Sequence, residues 1–197
     1  MRHRLGIIGL LAVVAGCVGG DGADDAAREP QQGACEPAVV IARLPATLFE
    51  ASGVARDPRG TGLFWIHNDS GNPAELVALD STGVPVASLP VSGASDRDLE
   101  DVAAGSCDGR PCLYLADIGD NLAVHPSILV HRVPLPPVDQ AATSLRAAGA
   151  WRLVYPGGPR DAEGLAVDGK RGEILVVTKG REAPSCAGSS GSSVPWM

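Results

Sequence analysis

Three copies of one strand–turn–strand phrase constrain this chain more than any other feature. They are FEASGVARDPRGTGLFWIHND (Phe49 to Asp69), RDLEDVAAGSCDGRPCLYLADIGDN (Arg97 to Asn121) and RDAEGLAVDGKRGEILVVTK (Arg160 to Lys179). Aligned on Gly53, Asp101 and Gly164, they bring Glu50, Asp98 and Asp161 into register, then Ser52, Glu100 and Glu163, then the apolar Val54, Val102 and Leu165. A strand pair repeated with a polar entry and a polar exit builds sheets arrayed around an axis. In an antiparallel hairpin the start of the first strand and the end of the second lie at the same end. The opening carboxylates and the closing Asn68, Asp69, Asp117, Asp120 and Lys179 are therefore expected on one rim.

Short runs rich in β-branched and aromatic residues, bounded by Gly, Pro, Asp or Asn, extend the pattern. They group as 50–56, 62–67, 75–79 and 84–89, then 98–104, 112–117, 128–133 and 150–155, then 161–167 and 173–178. Four antiparallel strands per unit is the blade of a β-propeller, so the expected class is all-β with about two and a half blades. AVVIARL (Ala38 to Leu44) reads as an outer strand joining the last blade, and DQAATSLRAAGA (Asp139 to Ala150) as a loop with one helical turn. After Lys179, GREAPSCAGSSGSSVPWM has no strand pattern, so residues 35–180 read as a partial propeller and 181–197 as a low-complexity tail. A closed ring takes at least four blades, which makes the chain read as a propeller cut short, with an exposed sheet edge prone to self-association. The alternative is a β-sandwich or open sheet of about ten strands.

The N-terminus reads as an address. Arg2, His3 and Arg4 precede the apolar run LGIIGLLAVVAG, which is too short to span a bilayer as a helix. Val14-Ala15-Gly16-Cys17 resembles the bacterial lipobox, which implies a signal peptide over residues 1–16, cleavage before Cys17 and lipidation of its sulfur. Residues 17–34 then form a lipidated, acidic, Gly/Ala-rich tether. The expected location is the cell envelope, outside the cytoplasm, with a membrane partner reached through the lipid. Without residues 1–16 the chain holds 14 basic against 23 acidic residues, a net charge of −9. That argues against nucleic acid and permits cation binding. Export allows disulfides, and Cys107 and Cys112 bracket a turn between paired strands, where a bridge is expected. Cys35 and Cys186 are left as a second pair by elimination.

HNDSG (His67 to Gly71), RDLEDVA (Arg97 to Ala103), DIGDN (Asp117 to Asn121) and RDAEGLAVD (Arg160 to Asp168) together resemble a family of bacterial secreted β-propeller lipoproteins. That family is similar in pattern to the six-bladed NHL-repeat, phytase-like and gluconolactonase-like propellers. In the enzymatic relatives, acids at the channel mouth hold calcium or another divalent ion. Carried over, the resemblance implies metal ligands at Asn68, Asp69, Glu100, Asp117, Asp120 and Glu163. The first repeat departs from the pattern, with Ser52 where Glu100 and Glu163 stand.

The residues themselves leave two readings of these acids. Period-two alternation puts Asp98 with Glu100, and Asp161 with Glu163, on one face, where like charges call for a cation or a proton. Alternatively the acids pair with Arg97 and Arg160 or cap turn amides. DIGDN lacks the spacing of an EF-hand loop, and the chain has no G-x-S-x-G, H-E-x-x-H, P-loop or G-x-G-x-x-G. His67 is a rim base or a hydrogen-bonded structural residue, and Trp65 is expected in the core. Trp151 is either core or a platform for a ligand. Three functions stay open: a lipoprotein presenting an acidic rim to a small-molecule or protein ligand, a calcium-dependent phosphoesterase or lactonase, and a truncated product without function.

Overall fold

The computed structural model describes residues 40, 42–95, 97–180 and 191–195. The signal peptide, Cys17, the tether, the Cys35–Cys186 pairing and residues 181–190 of the tail lie outside the described residues. Within them the chain is all-β, with no helix.

Among the described residues twelve strands make three sheets. The first holds β1 (Ala51–Arg56), β2 (Phe64–Asn68), β3 (Glu75–Leu79) and β4 (Pro85–Ser92) in sequential antiparallel order, with β8 (Leu145–Arg146) added parallel to β4. The second runs β5 (Leu99–Cys107), β6 (Arg110–Asp117), β7 (Ile128–Pro134), β9 (Gly149–Leu153), and the third β10 (Ala162–Asp168), β11 (Glu173–Thr178), β12 (Gly191–Pro195). Three expectations are corrected. Ala42 to Leu44 join no sheet, and Val40 is 83% exposed, so the described part of AVVIARL has no strand neighbour. The segment 139–150 makes no helical turn, because Leu145 is buried in the core of the first two sheets and draws β8 onto β4. Gly191–Pro195 pairs with β11, since backbone hydrogen bonding there does not need an apolar pattern.

Stacking follows from alternation. Trp65, Leu76 and Leu89 of the first sheet meet Val102, Leu113, Leu115 and Val133 of the second in one core. The opposite face of the second sheet, with Tyr114, Ile128 and Val130, meets Leu165, Ile174 and Val176 of the third. A buried aliphatic or aromatic side chain contributes roughly 1.5–3 kcal/mol, so these two seams carry much of the stability. β5 lies between β1 and β10, so the first strands of all three sheets are neighbours. At Gly53 a side chain would overlap the backbone of Asp101 and Val102, which is why β1 can approach β5 so closely.

The hairpin between β5 and β6 turns at Asp108 and Gly109, with φ of 50° and 76°, the paired positive values of a two-residue turn. The expected Cys107–Cys112 bridge is present across it, with Cα atoms 5.4 Å apart. So short a closed loop contributes about 2 kcal/mol by restricting the unfolded chain. Trp151 stacks on Tyr114 with ring centroids 5.6 Å apart and lies under the Arg132 guanidinium, which assigns it to packing.

Candidate metal centre

Each first strand carries a bulge at the same point of the repeat. Glu100 is the extra residue between the pairs Leu99–Asp117 and Asp101–Ala116, and Glu163 is the extra residue between Ala162–Thr178 and Gly164–Val177. In β1, Ser52 and Gly53 together stand against His67. A bulge interrupts alternation and re-aims a side chain, and here it places the repeat's acids where the sheets meet. The orphaned amide of the first bulge is satisfied by His67, whose Nε2 accepts the Gly53 N–H at 3.3 Å. His67 Nδ1 therefore carries the proton and donates to the Asn68 carbonyl at 2.7 Å. Burial holds the imidazole below its usual pKa, so His67 is a neutral structural residue with both nitrogens engaged.

Two sheets supply a carboxylate cluster. Asp69 follows β2, Asp98 and Glu100 open β5, and their carboxylate oxygens lie within 4.8 Å of one another. Hard oxygens in that number and spacing can hold a metal ion. Among the described residues no lysine, arginine or histidine forms an ion pair with any of the three. The pKa of Asp98 is raised, first by burial and then by Asp69, Asp161 and Asp117, with Ser70 of the HNDSG turn opposing the shift. Glu100 is buried, and burial together with Glu163, Asp69 and Asp98 pushes its pKa up to about 8. Glu163, from the third sheet, is the neighbouring carboxylate group that contributes most to that rise after burial. Gly119 closes the floor: a side chain there would overlap both Asp98 and Glu100.

The six sequence-derived ligands divide. Asp69 and Glu100 belong to the cluster. Glu163 borders it through Glu100, but its charge is met by Lys179, which also pairs with Asp161 at 2.9 Å. Those hydrogen bonds raise the Lys179 pKa. Asn68 is occupied by the Glu50 N–H and the Thr47 carbonyl. Asp120 caps a turn, accepting from the Val124 and His125 amides at 2.9 and 2.8 Å. Asp117 is fully buried and accepts from the Asp98 N–H at 3.0 Å and from the Ser95 hydroxyl, with Arg97 at 3.6 Å. Asp98 joins the cluster instead. Its place on the rim was legible from the repeat, but not its convergence with Asp69.

Ser95 also meets His131, whose Nε2 accepts the Ser95 N–H at 3.2 Å and lies 2.9 Å from its Oγ. Ser, His and Asp thus come together, though Asp117 holds the serine rather than the His131 Nδ1, the reverse of the order that activates a nucleophile. Asp101 ties two sheets, accepting the Val102 and Leu165 amides at 2.8 and 2.7 Å. A cleft of about 1120 Å³, lined by Pro58, Arg110, Leu135 and Arg146 among others, lies at the far ends of the hairpins and includes none of these acids. No protein-family model, curated protein or solved structure matches the chain.

Proposed function

We propose that the chain is an envelope-tethered lipoprotein whose propeller-type domain presents the Asp69–Asp98–Glu100 cluster to a divalent cation, calcium above others, and through it to a ligand. The observation that carries the reading is the convergence of three carboxylates from two sheets within 4.8 Å, one of them buried and none ion-paired to a described base. Calcium takes six to eight oxygens without demanding strict octahedral geometry, so a partial protein shell leaves positions for water or for an anionic ligand. Adjacent first strands in β1, β5 and β10 support the radial arrangement.

An ion bound only by the folded state raises its stability by mass action. Calcium at a hundredfold excess over its Kd is therefore expected to add about 2.7 kcal/mol, seen as a higher Tm than in chelator. An unchanged Tm with calcium, magnesium and manganese alike would remove the metal from this reading.

The lipid anchor rests on Val14-Ala15-Gly16-Cys17 after a basic and apolar leader. Cys17→Ser is expected to stop processing and release the domain from acyl-dependent membrane attachment. Metabolic labelling with a fatty acid and fractionation of the envelope measure this. Equal labelling of parent and variant would discard the anchor.

A further inference from the structure

At the hairpin ends remote from the acids, three segments surround one cleft. They are the β1–β2 turn at Pro58, the β5–β6 turn at Arg110, and the run from the end of β7 to β8. Its volume of about 1120 Å³ is enough for a small organic ligand, whose sites typically measure roughly 300–1,000 Å³. Leu135 and Leu145, buried in the core of the first two sheets, also line it, so its inner part is apolar.

The walls are fixed before any ligand arrives. Pro58, Pro111, Pro134, Pro136 and Pro137 line the cleft, each with a locked φ. The Leu135 N–H donates to the Pro111 carbonyl at 2.9 Å, which holds the long segment on β6. From the other side, Arg59 Nη1 donates to the Pro136 carbonyl at 2.9 Å, which ties the β1–β2 turn to the same segment. A preformed cleft loses little conformational freedom when a ligand enters.

The charge of the cleft runs against that of the chain. The sequence has 23 acidic against 16 basic residues, a net charge of −7. The cleft is lined by three arginines and by no Asp or Glu. Arg59 is neutralised at 2.5 Å by Asp57, which is buried and also accepts from the Trp65 indole at 3.2 Å. Arg110 and Arg146 are exposed, and among the described residues neither forms an ion pair. Asp108 and Asp139, the acids closest to the cleft in sequence, are both exposed and line no part of it.

We infer that this cleft is a second binding site, which takes an organic anion. Its apolar body rests on Leu135, Leu145 and the prolines, and Arg110 and Arg146 hold its carboxylate, sulfonate or phosphate group. Guanidinium groups match such oxyanions with paired N–H donors, and a cationic cleft in an acidic protein selects anions over cations. The inference uses no acid of the cluster, so loss of this binding and loss of a calcium response are separate results.

Anilinonaphthalene sulfonate, an apolar anion whose fluorescence rises on burial, serves as the probe. The full chain carries Cys17→Ser, so that no acyl chain competes. The probe is expected to bind at one saturable site per chain, equally with calcium and with chelator. Decanoate should displace it, whereas decyltrimethylammonium, with a similar apolar chain and the opposite charge, should not. Arg110→Gln and Arg146→Gln are each expected to weaken binding about tenfold, the loss of one charge-assisted hydrogen bond. Both variants should keep the far-ultraviolet spectrum of the parent, because both side chains are exposed. Parent-like affinity in either variant, displacement by the cation as readily as by decanoate, or no saturable binding overturns the inference.

Discussion

Glu100→Gln is expected to stabilise the ion-free protein at alkaline pH and to abolish its response to calcium. The folded-state pKa of Glu100 is raised to about 8, by burial first and by Glu163, Asp69 and Asp98 after it. The folded chain therefore keeps a proton that the unfolded chain has already released. Stability falls as pH rises from the ordinary carboxylate range through about 8, because over that window the native state binds more protons. Glutamine does not titrate. The variant should lose that slope and gain on the order of 1–2 kcal/mol near pH 9, roughly 3–8 °C in Tm. It should also show no calcium-dependent shift, since one of three clustered carboxylates is gone. Melting curves from pH 5 to pH 9, with calcium and with chelator, measure both effects. A parent-like pH slope would contradict the raised pKa, and a retained calcium shift would place the ion elsewhere.

Asp117→Ala is expected to cost about 3–5 kcal/mol, the range for removing one partner of a buried charged network. The side chain is 1% exposed and accepts from the Asp98 amide and the Ser95 hydroxyl, with Arg97 alongside. Alanine leaves a buried amide and a hydroxyl without their acceptor and releases the backbone that presents Asp98. Asp117→Asn keeps one carbonyl oxygen for the Asp98 N–H and should cost less than half as much. Urea unfolding reads the difference as a lower midpoint at unchanged slope. Equal, small effects of both substitutions would show that this network does not hold the start of β5.

The all-β class, most strands and the Cys107–Cys112 bridge were legible in the residues, because each depends on neighbours in sequence. Short runs rich in β-branched and aromatic residues, bounded by turn residues, marked β2, β3, β6 and β11, and Cys-Asp-Gly-Arg-Pro-Cys specified a tight turn with thiols on its flanks. The strands that were misread, from AVVIARL to β8 and β12, are those where apolar pattern and pairing part company. Pairing needs a partner at the right place, and composition does not report one.

The site divides along the same line. Chain order by itself determined that the acids of the repeat gather at one end of the hairpins, since antiparallel pairing leaves no other place for them. Only the tertiary structure decided which acids touch. A one-residue bulge aims Glu100 and Glu163 toward the junction of the sheets, the packing of β1 on β5 brings Asp69 to Asp98, and turn amides claim Asp120 while Ser95 and Asp98 claim Asp117. A carboxylate's partners are set by distances of a few ångströms between segments far apart in the chain, and local periodicity carries no information about those distances.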